Sequence, residues 1–230
     1  MEGMAEEARS AEREDERRGM LAAVVEMMRF TASSTDRERL SEPVLAALGK
    51  VPRHRFVPED DAANAYLNTA RPIGRGQTIS QPYIVALMTE LAELGPEDTV
   101  LEIGTGCGYQ AAMLAELAGR VYSVECLEEL AHAARERLER LGYRNVEIRS
   151  GDGWAGWPEH APYQAILVTA AAREVPPPLL EQLAPGGRLV LPLGRPWQPQ
   201  SLVVIEKDAD GTTREREVLP VAFVPLVHED

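Results

Sequence analysis

The chain has 230 residues, a formal net charge of −13 and 44% hydrophobic residues, enough for one large α/β domain or a domain with an extension. So acidic a chain is a poor candidate for DNA or RNA as its main partner, because phosphate recognition needs a basic surface. It has no N-terminal apolar stretch and no run near ~20 apolar residues, so neither secretion nor membrane spanning is expected, and its two cysteines, Cys107 and Cys126, predict no disulfide framework and a cytoplasmic setting.

Residues 1–19 are dominated by Glu and Arg and are expected to form a charged, mobile arm. From Met20 the pattern changes: Leu21, Val24, Val25 and Met28 fall on one helical face, and the helix is expected to run to Phe30. A second helix is predicted from Ser41, as N-cap, through Val44, Leu45 and Leu48 to Gly49, with Pro52 stopping it. Arg71 to Gln81, broken by Pro72, Gly74 and Gly76, reads as a loop. Ser80 then precedes Pro82 and a helix through Ile84, Leu87, Met88 and Leu91, a position that suits an N-cap. Residues 20–95 thus read as a helical cap with a substrate loop, residues 96–230 as an α/β domain, and 20–230 as one compact unit.

The stretch Asp98 to Gln110, D-T-V-L-E-I-G-T-G-C-G-Y-Q, organises the rest. Thr99 to Ile103 has the composition of a strand buried on both faces. Gly104, Gly106 and Gly108 follow, and a helix begins at Tyr109. A strand, a glycine-rich turn and a helix make a corner where backbone N–H groups face a ligand. Tyr109 stands where a dinucleotide fingerprint needs its last glycine, and no lysine is available for a phosphate loop. With Glu102 in the strand and Thr105 within the turn, the spacing suits a ligand without pyrophosphate, whose ammonium a carboxylate attracts. Glu125 ends the next strand, Arg120 to Glu125, at the separation that presents a carboxylate to ribose hydroxyls. Asn145 to Gly153 ends in a turn with Asp152 and Gly153, suited to an adenine amino group. Three such strand ends point to an adenosine-containing ligand.

Downstream, Leu127 to Leu141 is amphipathic and helical, Gln164 to Thr169 is a buried strand, and Pro176 to Leu183 is a short helix. Pro185-Gly186-Gly187 reads as a turn and Arg188 to Leu193 as the fifth strand. Ser201 to Glu206 and Glu217 to Val221 flank the turn signal Asp208 to Gly211, so they read as a hairpin. The fold class is therefore α/β: a doubly wound, mostly parallel, Rossmann-like seven-stranded sheet, with an N-terminal helical cap and a C-terminal antiparallel hairpin.

V-L-E-I-G-T-G-C-G-Y (100–109), I-G-R-G-Q-T-I-S-Q-P (73–82), Q-L-A-P-G-G-R-L-V-L-P-L-G (182–194), V-P-R-H-R-F-V-P (51–58) and F-V-P-L (223–226) together resemble the protein-L-isoaspartate O-methyltransferases, which are class I S-adenosylmethionine-dependent enzymes. The resemblance spans roughly residues 43–226, and Q-T-I-S-Q-P is its most specific part. It implies S-adenosylmethionine as methyl donor, S-adenosylhomocysteine as product, isoaspartyl peptides and proteins as acceptors, Ser80 as the catalytic residue and Gln77, Thr78 and Ile79 in the substrate loop. Many relatives open the fourth strand with aspartate where this chain has Gln164.

A carboxylate acceptor is already ionised near neutral pH and needs no general base. In keeping with that, His54, His132, His160 and His228 all fall outside the ligand-binding turns, and no Cys/His/Asp set has metal-ligand spacing. The chain is expected to act as a monomer without nucleic acid, membrane or metal. Two other readings stand beside this one: methylation of a tRNA base or a small molecule, and a non-enzymatic protein that binds S-adenosylmethionine.

Overall fold

Residues 13–195 and 198–227 are described in the structure, a computed structural model. The first helix, α1 (Glu14–Thr35), starts six residues ahead of the predicted Met20. Its first turn carries Glu14, Asp15 and Glu16, which suit the positive end of a helix dipole. Two arginines at this end also find partners: Arg13, the N-cap, donates to the Ala62 carbonyl at 2.6 Å and Arg17 to the Tyr66 hydroxyl at 3.5 Å. The segment expected to pack against nothing is thereby tied down from Arg13 onward. The remainder of the predicted arm, residues 1–12, lies outside the described residues.

Met20, Val24 and Met28 bury the inner face of α1. Ser41 precedes α2 (Glu42–Lys50) as predicted, but its side chain does not cap that helix. Its hydroxyl and backbone N–H both donate to the Glu90 carboxylate at 2.8 Å. The segment read as a loop is instead a small antiparallel hairpin, β1 (Arg71–Gly74) and β2 (Gln77–Ile79). Gly74, Arg75 and Gly76 have φ of 93°, 53° and 72°, and successive left-handed residues reverse a chain in two residues where Pro72 and the glycines had suggested only irregularity. Helix α3 (Pro82–Leu91) follows, with Gln81 rather than Ser80 as its N-cap. The N–H of Tyr83 is satisfied by the Asn68 side chain at 3.0 Å, so no serine hydroxyl is needed there.

Next come β3 (Thr99–Ile103), α4 (Tyr109–Ala115), β4 (Arg120–Glu125), α5 (Glu128–Arg140), β5 (Val146–Ser150), β6 (Tyr163–Val168), α6 (Pro177–Gln182), β7 (Leu183–Leu193), β8 (Gln200–Lys207) and β9 (Thr213–Val221). The sheet order is β5-β4-β3-β6-β7-β8-β9. The first five strands are parallel, and β8 and β9 form the antiparallel hairpin. This is the seven-stranded, mostly parallel α/β fold that the sequence predicts. Pro185-Gly186-Gly187 is absorbed into β7 as an irregularity opposite β6 instead of turning the chain ahead of it.

Alternate residues of the central strands feed two cores. Val100, Ala165, Leu167 and Val190 join α1, α3 and α4 on one face, while Leu101, Ile103, Ile166, Val168 and Leu189 pack on the other. Burial on both faces is what an unbroken apolar strand requires. The first core runs without interruption from Met20 in α1 to Val218 in β9. Gln164 is the second residue of β6, and its side chain accepts the Thr99 N–H at 2.8 Å. The chain order reverses between β3 and β6, and the crevice outside the carboxyl ends at such a point is where ligands of open α/β sheets bind.

Candidate active site

At the carboxyl end of β3, Gly104, Gly106 and Gly108 all take left-handed backbone conformations, with φ of 93°, 54° and 87°. The turn is held from both neighbouring strands. Gly104 donates its N–H to the Val124 carbonyl at 2.8 Å, and Thr169, just beyond β6, donates its hydroxyl to the Gly104 carbonyl at 2.6 Å. A Cβ on Gly104 would stand 2.5 Å from that hydroxyl oxygen. Gly108 serves helix packing instead, since a Cβ there would meet Leu138 at 3.3 Å and Ala134 at 3.4 Å, and its absence lets α4 approach α5.

Glu125, 5% exposed at the end of β4, closes the turn from the side. Its Oε2 accepts the Gly106 N–H at 2.7 Å and its Oε1 the Leu127 N–H at 3.0 Å. A carboxylate has about four lone-pair positions, so acceptor capacity remains on the side of the cavity that Glu125 lines. Gly153 lines the same cavity and is packed so closely that a Cβ would lie 2.3 Å from Ile103. Asp152 beside it is exposed, and its Oδ1 accepts the Trp154 N–H at 2.8 Å.

Glu102 lies beneath the turn, fully buried. Ser123, its register partner on β4, donates to its carboxyl, and Thr105 and Ser123 join hydroxyl to hydroxyl. Burial pushes the Glu102 carboxyl up to about 8, against the lowering effect of the Ser123 bond. The residue thus braces the turn through Ser123 and Thr105 from inside the sheet, and it does not line the cavity at Glu125.

Three connected spaces meet at Thr78 and Thr169. The one at the glycine turn, about 60 Å³, is bounded by Gln77, Gly104, Gly106, Glu125, Gly153 and the tail Val224–Val227. A second, about 510 Å³, opens beside Ser80, Gln81, Ile84 and the segment Pro220–Val224. A third, about 40 Å³, joins Ser80 and Ile79 to the glycine turn. The first is small beside the roughly 300–1,000 Å³ of small-molecule sites, because the β1–β2 hairpin and the C-terminal tail lie over it.

Among the described residues, every side chain lining the 510 Å³ cleft is uncharged. Ser80 is half-buried there, whereas Ile79 is 3% exposed and belongs to the core. His54 lies elsewhere, bonded to the Tyr66 hydroxyl at 2.7 Å, and burial with nearby Arg13, Arg55 and Arg17 lowers it to about 4. His132 pairs with Glu136, His160 stacks on Tyr122 with centroids 3.8 Å apart, and His228 lies outside the described residues. Among the described residues, no group of three or more His, Cys, Asp or Glu is placed to hold a metal ion, and no helix is long and apolar enough to cross a membrane.

Two contributors escaped sequence reading. Thr169 offered only its place at the end of an apolar run. The tail offered no periodic pattern: Phe223 is clasped by the Gln200 amide, with bonds of 2.7 and 3.1 Å, and Val224 and Leu226 bond to Ala171 at 2.8 Å each.

The family model for protein-L-isoaspartate(D-aspartate) O-methyltransferase matches residues 29–230. A protein-L-isoaspartate O-methyltransferase 2 of Polaromonas sp. is 56% identical over 207 residues, covering 90% of this chain and 98% of its own length. A solved protein-L-isoaspartate O-methyltransferase superimposes with a TM-score of 0.76 at 28% identity, over 90% of this chain and 66% of the other. A Plasmodium falciparum chain, described as a beta-aspartate methyltransferase in complex with S-adenosyl-L-homocysteine, shares the fold with a TM-score of 0.72 at 24% identity, over 89% of this chain and 97% of the other.

Proposed function

The chain belongs to the protein-L-isoaspartate(D-aspartate) O-methyltransferase family, and on that premise we propose that it moves a methyl group from S-adenosylmethionine to the α-carboxylate of L-isoaspartyl residues in damaged proteins, the first step of their repair. The observation that carries the acceptor assignment is that the described residues lining the cleft beside Ser80 are all uncharged. An amine or a base nitrogen must shed a proton on methylation, and among the described residues no lining side chain is suited to take one. A carboxylate arrives ionised and needs only to be held and kept dry.

The donor, when bound, supplies a methyl group on a positive sulfonium. Gly104, Gly106 and Gly153 fit it because each leaves out a side chain where the cavity wall is backbone, and Glu125 fits it by its spare acceptor capacity toward ribose hydroxyls. Asp152 is read as the partner of the adenine amino group. Glu102 and Thr105 are read as supports of the turn, and Gly108 as the residue that sets the helix behind it. Admission of the nucleoside draws the hairpin residues Gln77 and Thr78, or the tail Val224–Val227, outward from the small cavity.

Ser80 is assigned to hold one carboxylate oxygen of the acceptor while the other faces the methyl carbon. A hydrogen bond from a hydroxyl to a charged group contributes roughly 1.5–3 kcal/mol, and most of the remaining acceleration comes from alignment. Gln77, Thr78 and Ile79 shape the passage between the two spaces. The developing neutralisation of sulfonium and carboxylate is favoured by apolar neighbours such as Ile84, Val221 and Phe223. No step passes through a metal. S-adenosylhomocysteine leaves as product; the chain is proposed to work as a monomer in the cytoplasm, a reducing setting in which Cys107 and Cys126 stay free thiols.

Methyl transfer to an isoaspartyl peptide, paired with the matching aspartyl peptide, tests the assignment. Base-labile label in the first and little in the second is the expected result. Equal labelling of both would reject the acceptor while leaving the donor standing.

A further inference from the structure

One charged side chain is deeply buried next to the cleft without lining it. Arg53, with no exposed surface, follows Pro52 in a short turn between α2 and the hairpin. Its Nε donates to the Ala65 carbonyl at 2.8 Å and its Nη2 to the Ser80 carbonyl at 2.6 Å. Its guanidinium also lies 4.8 Å from the ring centroid of Tyr109, which Phe56 meets edge-on at 5.4 Å.

Tyr109 is the first residue of α4 and directly follows Gly108, so its ring rides on the helix that leaves the glycine turn. Ser80 belongs to the segment between the hairpin and α3. A single rigid cation therefore touches the backbone of the residue read as holding the acceptor and the helix behind the residues read as holding the donor. Burying a charge is expensive unless it is well bonded, and a neutral apolar residue would fill the same space at lower cost. A planar fork that bonds two carbonyls while stacking on an aromatic ring is a geometry lysine cannot reproduce.

We propose that Arg53 is a positioning residue for methyl transfer: by gripping the Ser80 carbonyl while resting on Tyr109, it fixes the distance and direction between the Ser80 hydroxyl and the glycine turn. This rests on the reading of Ser80 as the acceptor-holding residue. Its force comes from the sensitivity of an in-line displacement to alignment, where a shift of about 1 Å costs on the order of a hundredfold in rate. The Ser80 carbonyl has one charge-assisted bond, which is stronger than a neutral one, and the neighbouring N-cap Gln81 makes no side-chain bond to the helix end.

The test compares Arg53→Lys, Ser80→Ala and the double variant with the full-length wild-type chain. The readouts are kcat and KM on an isoaspartyl peptide, S-adenosylhomocysteine affinity by calorimetry, and melting temperature. Arg53→Lys is expected to lower kcat by about 10- to 100-fold, with the peptide KM and the S-adenosylhomocysteine Kd each within about threefold of wild type. The double variant is expected to be no slower than Ser80→Ala alone, because one residue acts through the other.

A lower melting temperature with unchanged kcat well below it would assign Arg53 to the fold and overturn the proposal. Losses that multiply in the double variant would overturn it as well. A crippled Ser80→Ala beside a normal Arg53→Lys defeats the Arg53 proposal alone, whereas full turnover in Ser80→Ala defeats the Ser80 reading and this proposal with it. Should Arg53→Lys fail to fold, Arg53→Gln, which keeps one neutral donor, carries the same comparison, and failure of both to fold returns Arg53 to a purely structural role.

Discussion

Replacing Glu125 by glutamine probes the proposed cofactor corner most directly. Both oxygens of Glu125 accept backbone N–H groups, from Gly106 at 2.7 Å and Leu127 at 3.0 Å. Glutamine offers a single oxygen, so whichever way the amide is turned its NH2 confronts a second donor. Losing one charge-assisted bond and leaving an N–H unsatisfied at a residue only 5% exposed costs roughly 1.5–3 kcal/mol. At about 2–4 °C per kcal/mol for a chain of this size, the melting temperature should fall by roughly 3–12 °C. The same carboxylate is assigned the ribose hydroxyls, so a comparable loss falls on binding, and S-adenosylhomocysteine should bind about 10- to 150-fold more weakly. Titration calorimetry on folded protein, with scanning calorimetry alongside, reads both quantities. An affinity within about threefold of wild type would show that Glu125 does not face the nucleoside, and an unchanged melting temperature would show that its two backbone bonds contribute nothing net.

Gly104→Ala places a Cβ 2.5 Å from Thr169 Oγ1 at a φ of 93°, and should abolish measurable S-adenosylhomocysteine binding; retention of wild-type affinity would disprove the close packing there. Gly108→Ala meets Leu138 at 3.3 Å and should cost about 1–2 kcal/mol of stability in denaturant titration, yet change the affinity of the folded protein by no more than a few fold. Thr169→Val removes the donor to Gly104 and Ile103 and is expected to lower kcat/KM by roughly tenfold or more, which steady-state kinetics will check. Burial holds the Glu102 carboxyl up at about 8, above its ordinary 4.5, so the folded chain keeps a proton that the unfolded chain has released. Stability therefore declines as pH rises across that window, by up to about 1.4 kcal/mol per pH unit. Glu102→Gln has no such proton and should gain on wild type between pH 5 and 8 in urea unfolding; parallel profiles would argue against a raised carboxyl.

The corner proposed to hold the donor could be picked out in the chain because its elements are local. The apolar run Thr99–Ile103, the three glycines and Glu125 at the end of the next strand lie within one βαβ unit, where spacing along the sequence dictates position in space. The continuous apolar strands likewise announced a sheet buried on both faces, and the alternating segments near the C-terminus announced its antiparallel hairpin. Ser80 was singled out only by the resemblance of its surroundings, T-I-S-Q-P, and the capping role its position suggested went to Gln81 and Asn68.

What the sequence could not decide were the contacts made across long separations. The hairpin at Arg71–Ile79 looked irregular because its strands are four and three residues long, too short to show a period. Glu102 and Gly108 match a cofactor motif by spacing, yet burial and helix packing, which only the assembled sheet creates, turn one toward Ser123 and the other toward Leu138. Thr169, the tail at Phe223–Leu226 and Arg53 reach the site from distant parts of the chain through side-chain bonds that leave no periodic trace. Sequence determined which strand ends and which turn form the corner proposed for the donor, because backbone geometry there depends on neighbours a few residues away. Tertiary structure alone decided what lies over that corner and what holds Ser80 against it, because those positions are set by packing between segments that meet only once the chain has folded.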